Sequence, residues 1–209
     1  MPPSLRLALE HYRDDVRRGM LEPLTAEDDP AHLPPWQTGT LDTELAARMD
    51  AVVRAAAKPK SFRELAKALG SLAHFVADAG FPPGAAGASG ASHYAEFGTF
   101  CQSRLPRFRL VFGGHDDPFL AADDAAGFAR AILEEARAND VGVARAYASA
   151  GTPVNPSAFD DRSVPFAVGA LAYSKSVTYV VRAWLAAWGR AHGDLSRTPY
   201  LKSTETYHR

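Results

Sequence analysis

The chain holds a single cysteine, no excess of either charge and no long uncharged apolar run, and each shortage excludes a class of protein. Cys101 alone can form neither an intramolecular disulfide nor a cysteine-based zinc cage. Its neighbours Phe97 and Phe100 mark it as a small buried hydrophobe rather than an activated thiol. With 23 Lys and Arg against 24 Asp and Glu, there is no general basic face to displace counterions from nucleic acid. Arg104, Arg107 and Arg109 are expected to form a solvated rim. No segment supplies the roughly 18 uncharged apolar residues of a membrane span, and Lys175 and Arg182 interrupt the most apolar stretch. Strand-like alternation and internal repeats are also missing. The opening Met-Pro-Pro-Ser-Leu-Arg meets Glu10 before any apolar core develops, so it does not read as a signal peptide, and a cytoplasmic, soluble protein is expected.

What is present is helical periodicity in a chain of 209 residues with 46% apolar and 22% charged residues, enough for one sizeable core. The expected organisation is a single all-α helical bundle over residues 1–200 with a polar tail at 201–209. Leu5, Leu9, Tyr12 and Val16 share one face of a first helix over Ser4–Met20, with Ser4 as its cap. Four prolines make Leu21–Thr40 a loop or a set of short turns. A second helix is expected over Leu41–Ala57. Ser61-Phe-Arg-Glu64 is a capping box that opens a third helix reaching Ala79. Residues 82–92, nearly all Pro, Gly, Ala and Ser, read as a flexible loop. Further helices are expected over His93–Arg104, Leu120–Ala150 (disturbed near Gly142) and Pro165–Ala191. The last carries an apolar stripe through Val177, Val181, Trp184 and Trp188.

His74 and Asp78 stand one turn apart on the third helix, so both can reach one ion through an imidazole nitrogen and a carboxylate oxygen. A local His–Asp hydrogen bond, or an Asp capping the helix end, accounts for the same pair without a metal. Gly84, Gly87 and Gly90 lack the strand and the Gly-Lys-Ser/Thr of a phosphate loop. Ser89 lacks the last glycine of a nucleophile elbow. His115-Asp116-Asp117 is most simply a polar turn, and His11 and His192 are expected at the surface.

The run Leu69-Gly-Ser-Leu-Ala-His74-Phe-Val-Ala-Asp78-Ala-Gly-Phe-Pro82 resembles the metal-binding helix of the zinc-dependent phospholipase C and S1/P1 nuclease superfamily. Ser92-His93-Tyr94-Ala-Glu96-Phe97 is similar to its second metal-bearing helix. The resemblance implies an all-helical domain that holds a zinc cluster and hydrolyses phosphodiesters. His74, Asp78 and His93 then match metal ligands, with Asp78 shared between ions. Several expected ligands are replaced: Gly84 stands two residues after the Pro, Phe97 one turn beyond His93, and Leu24 after Pro23. His32, Asp28 or Asp29 could replace a lost loop ligand, and Glu96 could serve with a different helix phase. The pattern therefore implies a divergent, degenerate member that acts as a binding or assembly module, with a protein partner or self-association. The alternative is a metal-dependent phosphodiester hydrolase reduced to one zinc.

Overall fold

The computed structural model describes residues 1–25, 30–57, 62–87, 92–151, 154–155 and 158–199. Among these the chain is all-helical, without strands. Helix α1 is Pro3–His11, α2 Arg13–Leu21, α3 Leu41–Ala57 and α4 Phe62–Ala79. Helix α5 is Pro82–Ala85, α6 Ser92–Arg104, α7 Pro118–Ala121, α8 Ala125–Ala150 and α9 Val164–Arg190. The expected first helix is two. Tyr12 leaves helical geometry at φ −103, ψ 26, and its ring stacks on Phe62 at 5.7 Å. Pro2, not Ser4, stands at the N-cap position of α1, without a side-chain capping hydrogen bond. The proline-rich connection to α3 holds three 3₁₀ turns, Glu22–Thr25, Pro30–His32 and Pro35–Gln37, as proline spacing favours. The capping-box Ser61, Asp28, Asp29 and the tail 201–209 lie outside the described residues.

Helix α4 is the axis of the bundle and packs against α2, α3 and α9. Its Leu69, Leu72, Phe75 and Val76 are almost wholly buried, each contributing on the order of 1.5–3 kcal/mol of hydrophobic stabilisation. Two glycines set its distance from α2. A Cβ at Gly70 would run into the Val16 carbonyl, and one at Gly19 into the Lys67 carbonyl, so the backbones approach more closely than any side chain would permit. From α9, Trp184 Nε1 donates to the Leu69 carbonyl at 2.9 Å. This core joins Leu5, Leu45, Met49, Phe128, Ile132, Leu133 and Ala183. A second cluster of Phe97, Phe100, Val143, Tyr147 and Phe159 joins α6 to α8 and to the segment before α9.

One expected loop and one expected helix differ further from the sequence reading. Part of the Gly- and Ala-rich stretch after Ala79 is the short helix α5, with Pro82, Pro83 and Ala85 buried. Proline is well suited to a first helical turn, where its missing N–H costs nothing. The long helix begins at Ala125, because Asp123 takes φ 56 and separates it from α7, and Asp124 Oδ1 then caps it by accepting from Gly127 N at 2.7 Å. It runs unbroken through Gly142.

Residues 108–114 lie outside helix along α9 and in the same direction. Val111 N donates to Ser174 Oγ at 3.1 Å, and Ser174 Oγ to the Arg109 carbonyl at 3.2 Å. One turn on, Gly113 N donates to Thr178 Oγ1 at 3.0 Å, and a further turn on Arg182 donates to the Gly113 and Gly114 carbonyls. The match is geometric: two extended residues advance about 6.6 Å and four helical residues about 6 Å. Among the described residues only the edge toward α9 finds hydrogen-bond partners. Leu110, Val111 and Phe112 expose 51%, 69% and 40% of their surface. By length and composition α9 is also the one described helix that could cross a membrane, yet Lys175 and Arg182 on it are paired to Glu135 and Asp117 within the bundle.

Candidate metal centre

The donors that gather come from α4 and from the 3₁₀ turn Pro30–His32. His74 and Asp78 share a face of α4 by their four-residue spacing, and the turn brings His32 over that face. One donor atom from each of His32, His74 and Asp78 lies within 4.8 Å of the other two. Asp78 Oδ2 stands between the rings, accepting from His32 Nδ1 at 2.7 Å and lying 3.1 Å from His74 Nε2. The imidazoles are edge to face, 5.2 Å between centroids, and His32 also stacks on Phe75 at 5.1 Å.

The contact with His74 is close but is not a hydrogen bond. Nε2 is buried and has no hydrogen-bond partner among the described residues, because the carboxylate oxygen lies out of line with it. An unsatisfied buried nitrogen carries a cost of about 1–3 kcal/mol. Asp78 is 32% exposed while the His74 and His32 side chains are 8% and 14% exposed, so the cluster is walled by its histidines and reached past the carboxylate. Two imidazoles and a carboxylate are a borderline-to-hard donor set, suited to zinc and similar divalent ions.

The structure does not bring His93 into this group. On α6 its Nε2 lies 3.2 Å from Asp140 Oδ1 of α8, both residues are buried, and the ring lies against Tyr147 at 6.1 Å. Glu96, one turn further round, accepts from Val154 N at 3.4 Å. Phe97 is fully buried in the second cluster. Tyr94 packs edge-on against Phe81 at 5.3 Å. His32, only one of several loop residues read as a replacement ligand, is the one among the described residues that joins His74 and Asp78. Asp140 was not anticipated from the sequence. Its signal is its register: Leu133, Ala136, Asp140, Val143 and Tyr147 step by three and four along the buried face of α8, so an ionisable group stands in an apolar stripe.

The remaining candidates are occupied structurally. Asp117 caps α7, its Oδ1 accepting from Phe119 N and Leu120 N, while Arg182 reaches Oδ2 at 3.3 Å. His115 Nε2 donates to the Pro199 carbonyl at 2.9 Å. Burial pushes the Cys101 thiol up to about 12, which removes it as a nucleophile near neutral pH. No family model, curated protein or solved structure matches this chain.

Proposed function

We propose that this helical bundle holds one divalent cation, zinc by preference, between His32, His74 and Asp78, and that it is a reduced, single-metal phosphoester hydrolase. The observation that carries the proposal is the orphaned, buried His74 Nε2 beside an Asp78 oxygen that already serves His32. The resemblance of the His74–Pro82 run to the zinc-dependent phospholipase C and S1/P1 nuclease superfamily supports the reaction class. Three protein ligands are also the usual complement of a catalytic zinc, which keeps a position for water or substrate. Zinc bound there would supply a Lewis acid for a phosphoryl oxygen and an acidified water. The chain's own part is to hold the three donors: stacking on Phe75 orients His32, and the burial of α4 fixes the His74 rotamer.

A second reading rests on α6. Because His93 is engaged by Asp140 and Phe97 is buried in the core, this helix has become structural. A metal at His32, His74 and Asp78 would then pin the loop to the bundle of a binding or assembly module. Metal content of untagged protein purified without chelator is the first test. About one zinc per chain, lost in His74→Ala, supports the site. Zinc-dependent turnover of bis(p-nitrophenyl) phosphate that disappears in His32→Ala supports the hydrolase, and stoichiometric zinc without turnover supports the module. Folded protein without stoichiometric metal overturns both.

A further inference from the structure

The structure assigns a second binding site to the cavity beside α6, a pocket for an organic ammonium ion with an apolar, ring-sized body. The cavity is about 360 Å³, within the range of small-molecule pockets. One wall is a single face of α6, where Glu96, Thr99 and Phe100 follow at helical spacing. Tyr147 of α8 and Phe159 from the segment before α9 form the rest. None of His32, His74 and Asp78 lines it, so it is independent of the proposed metal centre.

Its chemistry narrows the ligand. Three aromatic residues dominate the lining, with Phe159 4.8 Å from Tyr147 and 5.9 Å from Phe100 between ring centroids. Among the described lining residues Glu96 is the only one with an ionisable acid or base near neutral pH. Its carboxylate pairs with no Lys, Arg or His among the described residues; its one hydrogen bond is the long one from Val154 N. The neighbouring Arg104 does not compensate it. That guanidinium lies over the Phe100 ring at 5.6 Å and donates to the Phe159 carbonyl.

An apolar ligand without charge would strip water from Glu96 and offer nothing in return, and an anion would be repelled. A ligand with an apolar body and one ammonium group answers both parts of the lining. The body covers the aromatic wall, and the ammonium makes a charge-assisted bond to the carboxylate with further attraction from nearby rings. Thr99 and Asn155 supply polar edges at the mouth.

The test compares three probes of one shape by calorimetry at neutral pH: 2-phenylethylammonium, 2-phenylethanol and phenylacetate. The expected order places the ammonium at least about tenfold tighter than the alcohol, with the carboxylate weakest. Glu96→Gln preserves size and the acceptor for Val154 N, and it should abolish the preference while leaving the alcohol unchanged. Ala95→Trp, at an exposed lining position of α6, should weaken all binding and tests the pocket should Glu96→Gln not fold. Equal binding of ammonium and alcohol, a preference that survives Glu96→Gln, tight binding that Ala95→Trp leaves intact, or no binding below about 10 mM overturns the assignment.

Discussion

At the α4 side of the bundle, one oxygen of Asp78 faces two imidazoles; at the α6 side, one oxygen of Asp140 faces one. The starting materials are alike, a buried histidine on a helix and a carboxylate within 3.2 Å, yet the outcomes differ. His93 and Asp140 satisfy each other across two helices and sit in a packed aromatic cluster. At His74 the carboxylate comes from the same helix, one turn away, and is shared with a loop histidine, which leaves Nε2 without a hydrogen bond. A histidine paired from a facing helix becomes part of the core. One that shares an off-line oxygen with a second histidine remains available to a third body.

The largest expected effect is on metal at the α4 side. Asp78→Asn removes the anionic donor common to both rings, and zinc affinity should fall by more than the roughly 10–100-fold that changes in outer-shell partners cause. Competition with a chromophoric chelator reads this directly. If Asp78→Asn leaves zinc affinity unchanged, the contrast between the two carboxylates collapses.

The converse change belongs to α8. Asp140→Ala leaves His93 buried without its partner and should cost about 3 kcal/mol, or a fall in Tm of roughly 6–12 °C for a chain of this size. Zinc content should not move. A loss of zinc with the fold retained would show that His93 contributes to the metal centre after all.

The fold was legible in the sequence wherever periodicity was long. Leu41–Ala57 matches the expected helix at both ends, and α4, α6 and α9 follow to within a residue or so. Local backbone geometry escaped: the break at Tyr12, the positive φ at Asp123 and the short helix that begins at Pro82 depend on tertiary contacts that periodicity does not encode. Of the site, His74 and Asp78 were readable because helical spacing alone places them together. His32 could only be one candidate among several, since a proline-rich loop carries no register. Motif likeness groups His93 with His74 and Asp78, but it carries no information about Asp140, the partner 47 residues away on another helix that His93 meets.

The smallest effect concerns Cys101 on α6, which is half-buried and does not line the cavity. Cys101 packs against the second aromatic cluster, and burial raises its thiol to about 12. The thiol stays protonated across the neutral range and turns into thiolate only as pH approaches that value. Alkylation by iodoacetamide should therefore be slow at pH 8 in folded protein and rapid in denaturant. Fast labelling of the native state would mean that this cluster opens.

The segment laid along α9 has a consequence that amide exchange should register. Val111 and Gly113 donate inward to Ser174 and Thr178, whereas Leu110 and Phe112 donate to nothing among the described residues. Deuterium should enter every other amide quickly and the intervening ones slowly, a two-residue rhythm of the kind usually associated with the outermost strand of a sheet. Here a helix writes that rhythm, through hydroxyl groups spaced one turn apart.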